Sequence, residues 1–78
     1  MVVRERVASN LKRLRKTAGL SQEELAGRAN VNRNYIGKLE RRENSATTDM
    51  LAKLADVLGC DIVDLVSPVE KSRSGIGT

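Results

Sequence analysis

Between Ser21 and Asn32 the chain has room for about two turns of helix and almost none in which to turn back. Ser21-Gln22-Glu23-Glu24 has the form of a capping box, with Ser21 able to accept from the amide of Glu24 while the Glu24 carboxylate reaches back. Leu20 before the cap and Leu25 four positions after it can form a hydrophobic staple, which fixes the angle at which the chain joins the helix. The helix must stop near Ala29, because Asn30-Val31-Asn32 sets turn formers around one apolar residue and Asn32 is placed to cap the next helix. Two short helices joined so tightly cannot lie antiparallel. They cross steeply, in a helix-turn-helix.

The flanking segments extend this helical pattern. Val7, Leu11, Leu14 and Ala18 recur at helical spacing between charged residues, predicting an amphipathic helix from about Arg4 to Thr17, ended by Gly19. The helix after the tight turn, from Arg33 to about Arg41, has Ile36 and Leu39 as its aliphatic residues, and they mark its inward side. A polar loop from Arg42 to Ala46 leads to a fourth helix, capped by Thr47 or Thr48, with Leu51, Leu54, Ala55 and Leu58 inward and Gly59 at its end. Asp61 caps a short fifth helix with Ile62 and Leu65 inward, and Ser67-Pro68 ends it. The expected fold class is all-α: a compact five-helix domain over residues 1–66, with a flexible tail over 67–78 that combines Lys71, Arg73, serines and glycines with no apolar cluster.

A chain of 78 residues fills one core. Domains this small bury only about 60% of their unfolded surface and usually gain support from a disulfide, a metal or a second subunit. With Cys60 the single cysteine and no histidine, neither an internal disulfide nor an ordinary zinc site is expected. Oligomerisation remains. Charge is divided along the chain: through Arg42 the balance is +7, and from Glu43 onward it is −3. That concentration of cations suits a polyanion, although a solvated basic face has the same composition. No apolar run reaches transmembrane length and Met-Val-Val-Arg-Glu-Arg lacks the apolar stretch of a leader, so no membrane partner and a cytoplasmic location are expected.

At 100° per residue, Arg33, Gly37, Arg41, Asn34 and Lys38 fall across one arc opposite Ile36 and Leu39. Arg33 can donate two bonds to guanine, Asn34 can pair with adenine, and Lys38 can reach guanine or a phosphate. Asn32 borders this group, though an N-cap amide can be wholly occupied with backbone donors. Gly37, unfavourable inside a helix by about 1 kcal/mol, is either a point of close approach to a groove wall or a tolerated small residue. Tyr35, the sole aromatic, lies at the edge of the arc, where it either bonds a phosphate or shields core. Arg41, Arg42 and Asn44 follow as candidate contacts to a nucleic-acid backbone, or as an ordinary solvated charge run.

The sequence resembles the Xre family of helix-turn-helix DNA-binding proteins, which includes Cro and lambda-type repressors. The resemblance rests on Leu-Ser-Gln-Glu-Glu-Leu-Ala at 20–26, Val-Asn-Arg-Asn-Tyr-Ile-Gly-Lys-Leu-Glu-Arg at 31–41 and Leu-Ala-Asp-Val-Leu-Gly at 54–59. Arg-Asn-Tyr-Ile is also similar to controller proteins of restriction–modification systems. The resemblance implies a lambda-repressor-like domain that reads an operator in double-stranded DNA and regulates transcription. It implies that Gln22 approaches the DNA backbone beside the helix amino terminus, where amides attract an anion. It also implies a partly buried ion pair between Arg15 and Glu40 that orients the reading helix.

Without histidine or a phosphate-binding glycine loop, and with Cys60 read as an apolar filler, no nucleophile and base can be paired; neither catalysis nor a cofactor or small-molecule substrate is expected. Met50 and Val57 on the fourth helix and Val63 and Val66 on the fifth are apolar residues left over once the core stripes are assigned. They are the expected interface of a homodimer bound to a pseudo-palindromic site. A protein-interaction module with the same fold, such as an antitoxin subunit or a coactivator adaptor, is the competing reading, and it would expose an apolar patch in place of Arg, Asn and Lys.

Overall fold

The computed structural model describes residues 2–69, with side chains from Val3 onward. Within them the chain forms five helices: α1 (Val2–Thr17), α2 (Gln22–Ala29), α3 (Arg33–Glu40), α4 (Thr48–Leu58) and α5 (Ile62–Val66). α1 packs across α3 and α5, α2 packs on α3 and α4, and α4 packs on α5. The tail from residue 70 onward lies outside the described residues.

Capping sets the helix starts. The Ser21 hydroxyl accepts from the Glu24 amide at 3.0 Å while the Ser21 amide donates to the Glu24 carboxylate at 2.8 Å, closing the box that starts α2. Thr47, the nearer of the two expected caps, accepts from the Met50 amide at 3.1 Å. Asp64 reaches back to the Asp61 amide at 2.9 Å, a second box at the head of α5.

The first four helices end by one shared device. In each, an amide two or three residues past the helix end bonds a carbonyl five positions back: Leu20 to Arg15, Val31 to Ala26, Glu43 to Lys38 and Cys60 to Ala55. This closure requires one residue with positive φ. Gly19 and Gly59 supply it after α1 and α4, and Asn30 (φ 60°) and Arg42 (φ 65°) supply it on either side of α3. Asparagine tolerates the left-handed region through local polar contacts, whereas arginine has no such compensation.

Leu11, Leu25, Ile36, Leu39, Leu54 and Leu65 are fully buried and form the centre of the core. Each contributes about 2 kcal/mol by leaving water. α1 begins two residues before the expected Arg4. Ala18, expected on its stripe, is exposed because the helix ends at Thr17, and the buried positions are Val7, Ala8, Asn10, Leu11 and Arg15. Leu58 and Ile62, expected inward, are half-buried at the α4–α5 junction. Asn10 is 1% exposed, and its amide donates to the carbonyls of Leu65 (3.0 Å) and Ser67 (2.8 Å) at the end of α5.

Bonds from the Ser21 amide and then its hydroxyl lower the Glu24 pKa below its ordinary value of 4.5. A carboxylate stabilised in the folded state adds stability above its unfolded pKa and loses it as pH falls through the folded one. Glu24→Gln should therefore flatten the acid limb of a stability-versus-pH profile below 4.5. Some slope should remain, because Arg41 lowers the pKa of Glu43 in the same direction. Urea unfolding of both proteins across that range tests this, and parallel profiles would refute it.

Candidate nucleic-acid interface

α3 is held from below by Ile36 and Leu39, which are 0% and 1% exposed. Its start is fixed by Asn32, whose side-chain oxygen accepts from the Asn34 amide at 2.7 Å. That oxygen is committed to the backbone, leaving the Asn32 NH2 group as its donor toward any partner. Arg33, Asn34 and Lys38 are exposed on the opposite face. Arg33 Nη1 lies 3.8 Å from Glu23 Oε1 of α2, with both side chains mostly in water, so the pair is weak. Glu23 was not among the expected site residues; its place beside Arg33 depends on the crossing of α2 and α3, which spacing alone does not fix.

Gly37 differs from the expected arc. It is buried, because Arg41 folds back one turn and covers it: a Cβ at Gly37 would meet Arg41 Nη1 at 3.0 Å and Gln22 Oε1 at 3.7 Å. Helical side chains lean toward the amino terminus, so a residue four positions on covers the gap a glycine leaves. Glu43 holds Arg41 in that pose through its Nε (3.0 Å) and Nη2 (3.3 Å). The surface over Gly37 is therefore guanidinium rather than bare backbone.

Behind α3 lies a charged network. Arg15 donates to both oxygens of Glu40, at 2.7 and 3.1 Å, and its third nitrogen donates to the Leu20 carbonyl at 2.8 Å. The two side chains are 9% and 4% exposed, and the bonds to Glu40 raise the Arg15 pKa. Gln22 joins them by donating to Glu40 at 3.1 Å. One Gln22 N–H is thereby committed inside the protein, and the second remains for an anion. The helix-capping pattern revealed Gln22 as the first residue of α2, but nothing in its spacing pointed to Glu40.

Tyr35 is half-buried against the core, its hydroxyl donates a long 3.5 Å bond to the Ser45 carbonyl, and burial raises its pKa. Its half-burial favours the core-shielding alternative, and a bond to a phosphate would require the hydroxyl proton to leave Ser45. Arg4 reaches the same loop, donating to Ser45 Oγ at 3.1 and 2.9 Å, which ties the start of α1 to the segment holding Arg42 and Asn44. Arg42 is exposed and Asn44 half-buried.

A left-handed non-glycine residue costs about 1 kcal/mol. Arg42→Gly should thus raise stability by about that amount while weakening binding to all duplexes alike and reducing the salt dependence by about one charge. Denaturant unfolding and binding titrations at several salt concentrations check both halves. A destabilised variant would contradict the conformational argument.

Met50, Val57 and Val66 pack partly against the core, because α4 and α5 cover one another more than their separate stripes suggest. Val63 stands apart at 58% exposed. Among the described residues, no cluster of His, Cys, Asp or Glu could hold a metal ion, and no helix is long and apolar enough to cross a membrane.

A buttressed helix that turns Arg, Asn and Lys outward behind a capped tight turn defines a DNA-binding helix-turn-helix protein. Residues 11–65 match the family model HTH_3, helix-turn-helix, and the chain belongs to that Xre-like family of DNA-binding transcriptional regulators. It is 39% identical over 75 residues to an uncharacterized HTH-type transcriptional regulator, y4dJ, of Sinorhizobium fredii, covering 96% of this chain and 97% of that one. It is 36% identical over 67 residues to the control protein C.SmaI of Serratia marcescens, covering 86% and 80%. Among solved structures, the restriction–modification controller protein C.AhdI of Aeromonas hydrophila superposes with a TM-score of 0.76 at 32% identity, over 80% of this chain and 94% of that one. A hypothetical transcription factor, NHTF, from Neisseria gives 0.85 at 29% identity, over 92% and 83%. The family consists of regulatory DNA-binding proteins.

Proposed function

We propose that this regulator binds a pseudo-palindromic operator as a homodimer and controls transcription from it, with occlusion of polymerase the simplest mode. The observation that carries this reading is the division of α3 into a buried aliphatic side and an exposed side bearing Arg33, Asn34 and Lys38. An interaction module would more naturally be apolar there. Arg33 and Lys38 suit guanine and Asn34 suits adenine, with the Asn32 amide at the margin. Gly37 contributes by seating Arg41, which can then meet a phosphate together with the free N–H of Gln22. Arg42, Asn44 and the Tyr35 hydroxyl lie along the neighbouring strand of backbone in this reading. Residues 1–66 act as the DNA-binding domain, and the DNA partner puts the protein in the cytoplasm, at the nucleoid.

Dimerisation uses the surface of α4 and α5 around Val63, with Met50, Val57 and Val66 at its margin. A two-fold axis there would set two α3 helices about 34 Å apart, matching half-sites separated by about 10 bp. Similarity to an HTH-type transcriptional regulator and to controller proteins supports a regulatory DNA-binding role.

Selection of bound sequences from a random duplex pool tests the reading. The parent protein should return two inverted half-sites. Arg33→Ala should lose the preference at one base pair in each half, worth about 1–3 kcal/mol. Unchanged preferences in that variant would remove Arg33 from the reading set, and a pool with no enriched sequence would overturn specific recognition.

A further inference from the structure

α1 carries two buried polar residues, Asn10 and Arg15, and each spans to a different part of the protein. Arg15 fixes α3 through Glu40, while Asn10 fixes the end of α5 through the carbonyls of Leu65 and Ser67. Arg6, one turn earlier, adds a 3.5 Å bond to the Val66 carbonyl. α5 has five residues, of which only Leu65 is fully buried. Ile62 and Val66 pack half-buried beside it, but such apolar contacts resist withdrawal of the helix more than they fix its rotation, since they have little directional preference. Hydrogen bonds are directional. The Asn10 amide gives one donor to each of two carbonyls two residues apart, and its oxygen is itself oriented by Arg13 at 3.1 Å.

We propose that Asn10 is a positioning residue for DNA recognition, which fixes the rotation of α5 relative to α3 and thereby the spacing of half-sites that a dimer accepts. This rests on the reading of α5 as part of the dimer interface. α1 acts as a strut between the element that pairs subunits and the element that reads bases. A small rotation of α5, applied twice about the two-fold axis, changes the separation and tilt of both α3 helices without altering either reading face. Asn10 therefore governs which operators are accepted while lying beneath the surface.

The test uses the full chain with duplexes carrying one half-site, or two half-sites at a series of separations. Asn10→Leu keeps the branched shape and the number of side-chain heavy atoms, with somewhat larger ends, and removes both donors. Its affinity for a single half-site should stay within about twofold of the parent's, since Asn10 is buried and its bonds go to Leu65, Ser67 and Arg13, not to the exposed residues of α3. Its preference for the best separation over neighbouring ones should fall from about tenfold to about twofold as the geometry of joint engagement loosens. Thermal unfolding checks that the variant is folded. Arg6→Ala, a milder loss at the same helix end, should shift the preference in the same direction and decides the matter if Asn10→Leu does not fold. A spacing preference as sharp as the parent's in the folded variants would overturn the role of Asn10. A parent protein that binds two half-sites no better than one would overturn the dimer reading and this inference with it.

Discussion

Glu40→Ala should destabilise the protein by about 3 kcal/mol, because it leaves the Arg15 guanidinium buried without its counter-ion. Arg15 would keep its bond to the Leu20 carbonyl and lose both bonds to Glu40, while Gln22 would lose its acceptor. For a chain of this length, total stability is about 4–12 kcal/mol, so the loss is a large share of the whole. It corresponds to a fall in Tm of roughly 15 °C. A double-mutant cycle with Arg15→Met separates the pair from its surroundings: the double variant should recover much of the stability, since replacing a buried ion pair with apolar side chains is often neutral. DNA affinity should not recover with it, because Gln22 and α3 would have lost the group that joins them. Zero coupling between the two positions would refute the pair as a structural unit.

On the proposed pairing through α5, Val63→Asp is expected to give a folded monomer. The side chain is 58% exposed and touches the core little, so a charge there should leave the helices intact. Placed near a two-fold axis, however, it would set carboxylates of both subunits against each other in an otherwise apolar contact. Affinity for a complete operator should fall by about 100-fold, the usual scale of losing a linked second binding event, while single half-site binding stays unchanged. Sedimentation and circular dichroism, read beside the binding curves, distinguish dissociation from unfolding. A Val63→Asp protein that still sediments as a dimer would move the interface elsewhere.

Helix boundaries near the reading face were legible in the sequence because they rest on local chemistry. Ser21, Glu24 and Asn32 cap through bonds that span three residues or fewer, so spacing alone locates them. Asn10 was not legible: an asparagine beside Leu11 resembles any polar residue bordering an apolar stripe until α5 is placed against it. The left-handed conformation of Arg42 was not legible for a different reason. Residue type points away from a left-handed conformation there, and only the closure of α3 on Lys38 imposes it. Rotation angle set Gly37 among the outward residues, but rotation angle says nothing about a neighbour folding over it, and Gly37 is buried under Arg41. The Arg15–Glu40 pair came from family resemblance; the periodicity of α1 would have put a leucine as readily at position 15. Partial burial of Met50, Val57 and Val66 likewise depends on how α4 meets α5, which neither stripe contains.

Arg33, Asn34 and Lys38 lie on the far side of α3 from the buried Ile36 and Leu39, and the one ion pair among them, with Glu23, is long and exposed. Their identities are therefore almost uncoupled from folding, and the scaffold places few demands on which residues occupy them. On the proposed reading of these positions, a lineage carrying this domain could wander through operator preferences by changing them while its thermal tolerance stands still. Duplicated copies in one cell could diverge quickly into regulators that ignore each other's promoters. The slower-changing part would be the concealed frame of Arg15, Glu40 and Gln22, where a single exchange is punished before a compensating one can arrive.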